Sequence, residues 1–284
     1  MATAEHVIVA EDYDLAATLD SGQAFRWRLG NGLWSGVIGR RCVRLRQEGS
    51  SIFAETANSC EDWRWLEEYL QPGTDLAAVL ETFPDDPPLH EAVRACRGLR
   101  LLRQEPWECL ASFILSSTKQ IVQIRQIVAR LCERFGEPID GPPGGTGEFS
   151  FPTAARIAAA SEAELRDCKM GFRAPYLLGT ARRVAEGGID LAGLRGLPLE
   201  AAREELMRLP GVGRKIADCA LLFGCGFDEA FPIDVWVLKA LRQLYFAKRR
   251  ADKKRLERFA ATHFGPHAGY AQQYLFHYIR TKIR

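Results

Sequence analysis

The sequence predicts an α+β protein in which a small antiparallel β unit with helices precedes a larger helical unit. Three observations carry this reading. Apolar residues alternate early, as Phe25/Trp27/Leu29 and then Val43/Leu45, with Asn31-Gly32 between them as a hairpin signal. A proline-rich stretch, "FPDDPPLH" (83–90), then breaks the chain. Beyond it, apolar positions recur at helical spacing almost to the end.

Taken in order, the first unit covers residues 1–88 and is strand-rich to about residue 82. Its "EDWRWLEEYLQP" sets Trp63, Leu66 and Leu70 on one side of a short amphipathic helix. The second unit, 89–284, shows helical periodicity or helix-start signals near 89–99, 106–117, 119–134, 153–158, 161–168, 174–186, 199–207, 213–224, 234–246, 252–263 and 267–281. "GEPIDGPPGGTGEFSFP" (136–152) reads as a loop too rich in glycine and proline to pack. No internal repeat is present.

Composition narrows the function classes. A hydrophobic fraction of 47% over 284 residues supports a substantial core and excludes a disordered chain. No apolar run approaches ~20 residues, so no membrane-spanning helix is expected. The start lacks a basic segment leading into an apolar one, so no signal peptide is expected and a cytoplasmic protein is. The eight cysteines are irregularly spaced, form no Cys-x-x-Cys and end at Cys225, which suits buried thiols rather than disulfides, a zinc site or an iron–sulfur cluster. Net charge is only +2, yet Lys248, Arg249, Arg250, Lys253, Lys254, Arg255 and Arg258 crowd one stretch. Such a run is either a solvated helix face or a contact for a polyanion.

The chemistry concentrates in "LPGVGRKIADCALLFGCGFDEAFPID" (209–234). An amphipathic helix, "PLEAAREELMRL", turns through "PGVG" into a second, apolar helix, a hairpin covering about 200–224. Gly211 and Gly213 leave backbone amides unobstructed beside a helix N-terminus, which makes an anion seat, or else an ordinary tight connection. Lys215 lies in the first turn of the second helix, against its dipole and ahead of an apolar run. Both features favour a neutral, nucleophilic amine; the plain alternative is a lysine snorkelling to solvent. Cys219, four residues on, shares its face. Pro232 forces an extended approach to Asp234, which reads as an N-cap whose second oxygen is left to aim at a neighbouring site.

These residues resemble the helix-hairpin-helix DNA glycosylases. Together with "LDSGQAFRW" (19–27), "PWECLASFILSS" (106–117) and "GYAQQYLFHYIR" (269–280), they are similar to the 8-oxoguanine DNA glycosylase/AP lyases, in the bacterial or archaeal branch. The resemblance runs from about residue 10 to the end. It implies a TBP-like β domain before an all-α glycosylase domain, and a monomer acting on damaged double-stranded DNA by base flipping. It implies no catalytic cofactor. Lys215 would be the nucleophile and Asp234 its carboxylate partner. Gly22, Cys219, Pro232, Gln272 and Phe276 would hold the base: the Gly22 carbonyl reading N7–H, Gln272 the Watson–Crick edge, Phe276 and Cys219 the two ring faces. Gly211, Gly213 and Ile216 would offer amides to a phosphate, and carbonyls of Met207, Leu209 and Val212 would hold a structural cation when DNA is bound. Phe172 and Arg173, in "GFRAPY", would supply the wedge and a reader of the opposite base. Thr118, Lys119, Gln120 and Trp236 complete the DNA-binding set.

Several positions depart from the better-known eukaryotic pattern. An asparagine run after "SS" is here Thr118-Lys119-Gln120, an arginine is Gln123, and a histidine two residues after the aspartate is Trp236. The base pocket stays intact while the opposite-base readers change. Two other readings remain: a hairpin glycosylase for another damaged base, against which "SGQAFRW" and Gln272/Phe276 argue, and a non-catalytic DNA-binding module, against which Lys215 with Asp234 argues.

Overall fold

The early chain forms β1 (Thr3–Val9), β2 (Arg28–Gly30), β3 (Leu33–Ile38), β4 (Arg41–Glu48) and β5 (Ser51–Ala57), an antiparallel sheet in the order β1-β5-β4-β3-β2, with burial alternating along β5 and β2 exposed throughout. The computed structural model describes residues 3–57, 60–117, 119–142, 148–247 and 251–282. Asn31 and Gly32 turn β2 into β3 with φ of 51° and 76°, the left-handed pair that a two-residue hairpin demands. Helices α1 (Leu15–Asp20), α2 (Arg64–Leu70) and α3 (Leu76–Glu81) complete this half.

The rest is helical: α4 (Pro87–Ala95), α5 (Pro106–Leu115), α6 (Ile121–Phe135), α7 (Ala154–Ala158), α8 (Glu162–Asp167), α9 (Ala174–Ala185), α10 (Leu199–Met207), α11 (Arg214–Ala220), α12 (Val235–Ala240), α13 (Lys253–His263) and α14 (Ala268–Lys282). Side chains of Asp14, Asp75, Asp86, Thr153, Ser161, Asp234 and Asp252 each accept a first-turn amide, which is why these helices begin where they do. Pro87 and Pro88 of the break sit in the first turn of α4, where no intrahelical N–H bond is lost.

Two apolar cores result. Ile8, Trp27, Leu45, Ile52, Leu66 and Leu70 fill one under the sheet, and Leu102 joins them from beyond the break. The helical core takes Phe25, Leu76 and Val79 from before it. Side chains are thus exchanged across residues 83–90.

Three local expectations need correction. Phe25 and Trp27 are buried but precede the strand, which starts at Arg28, and Leu29 is 59% exposed. Trp27 leaves the alternation because its ring packs flat on Gly36 and its indole N–H donates to the Tyr69 hydroxyl at 2.9 Å. The 136–152 segment packs at both ends: Pro138–Ile139 and Glu148–Phe149 pair as β6 and β7, because Gly136 lets Ser150 approach closer than any Cβ would allow. Finally, α11 and α12 each give way to a π-helical turn, at Leu221–Cys225 and Leu241–Tyr245, where a continuous α-helix was expected.

Candidate active site

The hairpin forms as its sequence requires. Gly211 has φ of 76°, and a Cβ there would lie 2.6 Å from Cβ of Tyr176, so backbone conformation and space both demand glycine. Gly213, extended at the N-cap of α11, has no side-chain cap. The amides of Gly211 and Gly213 make no hydrogen bond among the described residues. Ile216 differs from the expectation, since its amide already donates to the Gly213 carbonyl at 3.0 Å. The two helices are locked by a buried pair in which Arg203 Nε donates to Asp218 Oδ1 at 2.5 Å. Burial pushes the Asp218 carboxyl up to about 6, even with that guanidinium beside it. Helix α9 braces the turn: Thr180 Oγ1 donates to the Pro210 carbonyl at 2.9 Å, and Gly179 lets the Pro210 ring come close.

Lys215 reaches from the first turn of α11 to the end of α5. Its Nζ donates to Ser116 Oγ at 3.1 Å and stands 5.0 Å from the centroid of the Phe113 ring. Cys219 is buried on the same face, and burial pushes its thiol up to about 12 although the Lys215 charge opposes this. Asp234 caps α12 by accepting from the Val237 amide at 2.8 Å. Its burial raises the carboxyl above the usual carboxylate range; the Val237 amide bond and the charges of Lys215 and Arg280 pull the other way. The cap and the charge partner are therefore one residue.

A second cluster gathers around the loop after α1. Gly22 has φ of 81°, and a Cβ there would lie 2.7 Å from Ile121 Cδ1, 3.3 Å from Arg280 and 3.4 Å from Phe276. The buried Gln23 fixes this loop: its amide donates to the Thr18 carbonyl, the Ser21 hydroxyl and the Arg100 carbonyl, and accepts from the Leu102 amide at 2.7 Å. Gln273 adds a bond to the Ser21 carbonyl at 3.1 Å. On α14, Gln272 is 4% exposed, and its Oε1 has no partner among the described residues. An unsatisfied buried acceptor is costly, which marks this oxygen as waiting for a donor. Phe276, one turn on, is half-buried under the Arg280 guanidinium at 5.2 Å.

Two family models account for most of the chain. Residues 7–110 match the 8-oxoguanine DNA glycosylase N-terminal domain, and residues 111–266 match the HhH-GPD superfamily of base excision DNA repair proteins. The chain belongs to the HhH-GPD superfamily. A probable N-glycosylase/DNA lyase of Methanothermobacter thermautotrophicus is 32% identical over 95% of this chain and 94% of its own. The N-glycosylase/DNA lyase OGG1 of Arabidopsis thaliana is 34% identical, covering 92% and 76%. Among solved structures, the Clostridium acetobutylicum 8-oxoguanine glycosylase/lyase bound to double-stranded DNA with cytosine opposite 8-oxoG superposes with a TM-score of 0.90, at 31% identity over 98% and 99% of the two chains.

The other expected residues of this HhH-GPD chain are unevenly placed. Phe172 is 55% exposed, whereas Arg173 is 2% exposed, with its guanidinium folded back over the Phe172 ring and donating to the Met170 carbonyl at 3.3 Å. The expected opposite-base arginine is thus turned inward. Trp236 is exposed beside Lys239, and Pro232 is buried. Lys119 precedes α6, and Gln120 is its N-cap, with Gln123 Oε1 accepting from the Gln120 amide at 3.2 Å. Thr118, Lys248, Arg249 and Arg250 lie outside the described residues. Met207 is exposed while Leu209 and Val212 are buried, and the Leu209 carbonyl accepts from the Val212 amide at 3.2 Å. Among the described residues no group of three or more His, Cys, Asp or Glu side chains is arranged to hold a metal ion. Sequence reasoning gave no role to Ser116, Tyr176 or Arg280, although each lies in a quoted motif, "PWECLASFILSS", "GFRAPY" and "GYAQQYLFHYIR".

Proposed function

We propose that this chain is a bifunctional DNA glycosylase/AP lyase that excises 8-oxoguanine from duplex DNA in base excision repair. The observation that carries the reading is the Lys215 amine at the mouth of the hairpin, seated on an uncharged hydroxyl and a ring face, with the Asp234 carboxylate answering its charge.

The chemistry follows from that arrangement. The damaged base leaves the stack. Lys215 first gives up a proton to solvent and then attacks C1′, a C–N bond forms, and the glycosidic bond breaks with its electron pair passing to the base, which takes up a proton. Ring opening leaves an imine between Lys215 and the sugar. Loss of a proton from C2′ then expels the 3′ phosphate and cuts the strand. Asp234 stabilises the positive charge that grows on the sugar. No cofactor enters any step.

Recognition rests on one extra proton. 8-Oxoguanine carries N7–H and guanine does not, so the Gly22 carbonyl gains a partner only from the lesion. The Gln272 carbonyl accepts from the donors of the Watson–Crick edge. Phe276 and the neutral Cys219 thiol cover the ring faces, and Pro232 closes the same side. Gly211 and Gly213 seat a phosphate, Ile216 being partly spent within the turn. Phe172 fills the gap, and Arg173 reaches the opposite base only after rotating outward. Lys119, Gln120, Thr118 and Trp236 line the DNA. Carbonyls of Met207, Leu209 and Val212 hold a bridging cation once DNA is bound. We place the division between the two units near residue 88, and the protein, as a monomer, on the DNA of a bacterial or archaeal cytoplasm.

Borohydride trapping tests the reading. A covalent complex is expected with an 8-oxoguanine duplex and not with the same duplex carrying guanine. A wild-type protein that releases no 8-oxoguanine and traps on nothing overturns it.

Two further outcomes are expected. Single-turnover rates opposite cytosine and adenine should differ by less than two bidentate contacts, at ~1–3 kcal/mol each, would impose. The reason is that Gln123 Oε1 is taken up by the Gln120 amide and Arg173 is buried. A cytosine preference above about 10³-fold contradicts this. Binding should also weaken steeply with salt, through counterion release. Charge reversal at Lys253 and Lys254 tests whether α13 takes part: a shallower salt slope places it on the DNA, and an unchanged slope returns it to a solvated face.

A further inference from the structure

We propose that Ser116 is a positioning residue for the Lys215 nucleophile: its hydroxyl fixes one N–H of the amine and leaves the lone pair to the sugar. This rests on the function proposed above.

A hydroxyl has one proton to give. That of Ser116 goes to the Phe113 carbonyl, 2.7 Å away at the end of α5. Only lone pairs remain on Ser116 Oγ, so the 3.1 Å contact with Lys215 runs one way, with the amine donating and the hydroxyl accepting. The direction matters. A hydroxyl that donated to the amine would occupy the lone pair that must form the bond to C1′. Here the Phe113 carbonyl prevents that inversion.

The neighbours sharpen the effect. A neutral amine has two N–H bonds and one lone pair. With one N–H held by Ser116, and the Phe113 ring 5.0 Å to one side, rotation about the last C–N bond is restricted. The support is rigid as well. Helix α5 is buried along its length, begins at Pro106 with Glu105 as its cap, and is pinned by a bond from the Trp107 indole to the Pro152 carbonyl at 3.0 Å. Ser116 thus brings a fixed point to a lysine 99 residues further along the chain. A hydroxyl at a helix end is otherwise read as a local back-bond to i−3, and Ser116 makes that bond too. The Lys215 contact is what the local reading leaves unexplained.

The test compares Ser116→Ala with Ser116→Thr, which keeps the oxygen and its proton. Four quantities are measured: single-turnover release of 8-oxoguanine, borohydride trapping on a preformed abasic site, Kd for DNA, and Tm. Misplacing a nucleophile by a fraction of its reach costs on the order of 10- to 100-fold. The alanine variant should therefore slow both reactions by about that much, with Kd within about twofold. The threonine variant should recover most of the loss. A purely local role for Ser116 would lower Tm and leave both rates per folded molecule unchanged, which overturns the proposal. Slowed base release with undiminished abasic-site trapping also overturns it, because Ser116 would then be shaping the base pocket. If the wild type itself traps on neither substrate, the function proposed above has failed and this inference fails with it.

Discussion

Lys215→Gln is expected to abolish base release and strand cutting together. Glutamine is one bond shorter than lysine but keeps an N–H donor on the same face, so the change at the site is small in volume. What disappears is the nucleophile, because an amide nitrogen's lone pair is delocalised. Removal of a covalent nucleophile from a preorganised site typically costs more than about 10³-fold in rate. DNA affinity should change little, since the proposed phosphate seat uses the Gly211 and Gly213 amides, unpaired among the described residues, rather than the Lys215 side chain. Stability should hold or rise slightly, because a cation in the first turn of α11 opposes the helix dipole by about 0.3–1 kcal/mol. Single-turnover rates, borohydride trapping and a DNA titration are the measurements. Product from the purified variant at more than about a thousandth of the wild-type rate sinks the nucleophile assignment.

Asp234→Asn separates the two roles of that residue. Asparagine is as good an N-cap as aspartate, so the bond from the Val237 amide persists and Tm should stay close to wild type. Charge stabilisation of the sugar is lost, at a cost of roughly 10²–10³ in rate. The pH profile supplies a second reading. Burial raises the Asp234 carboxyl above its ordinary value, so the activity that needs its ionised form should fade at a higher pH than an unperturbed carboxylate would give. The asparagine variant should lose that acid limb. The sign for stability is opposite to that of a salt-bridged carboxylate. A raised folded pKa means that folding favours the protonated form, so this group's contribution to stability falls as pH climbs from ~4 through the folded value, and the asparagine variant removes that dependence. A variant with wild-type rates would reduce Asp234 to a cap alone.

Much of this was legible because its physics is local. Asp234 before an apolar-periodic run announces a cap, and the cap is present. Asn31-Gly32 announces a two-residue turn, and both residues take positive φ. The Pro-Gly-Val-Gly turn announces a hairpin, and Gly211 is held there by both conformation and contact. What escaped depends on contacts distant in sequence. Nothing near Trp27 tells that its ring will lie on Gly36 and delay the start of the expected strand to Arg28. Gly136 reads as a breaker until Ser150 is seen against it. The Ser116–Lys215 bond links two helices that share no local pattern. The family resemblance puts Arg173 at the opposite base, yet its side chain is buried. The π-helical turns that follow α11 and α12 likewise carry no periodicity signal, since the apolar spacing continues through them.

The bracing of the hairpin by α9 sets a mechanical limit on how duplex DNA is engaged. Tyr176, Gly179 and Thr180 tie the turn at Pro210 and Gly211 to a helix that begins at Ala174, two residues after Phe172. If, as proposed, the turn grips a phosphate and Phe172 enters the stack, α9 fixes the distance between grip and wedge. Those ties would leave little slack there to follow the contour of straight DNA. The bend must then be borne by the duplex, and base pairs already weakened by damage or mismatch, being the easiest to kink, fit the gauge at the lowest cost. Inspection of the helix would in that case begin with its stiffness, before any atom of the base is read.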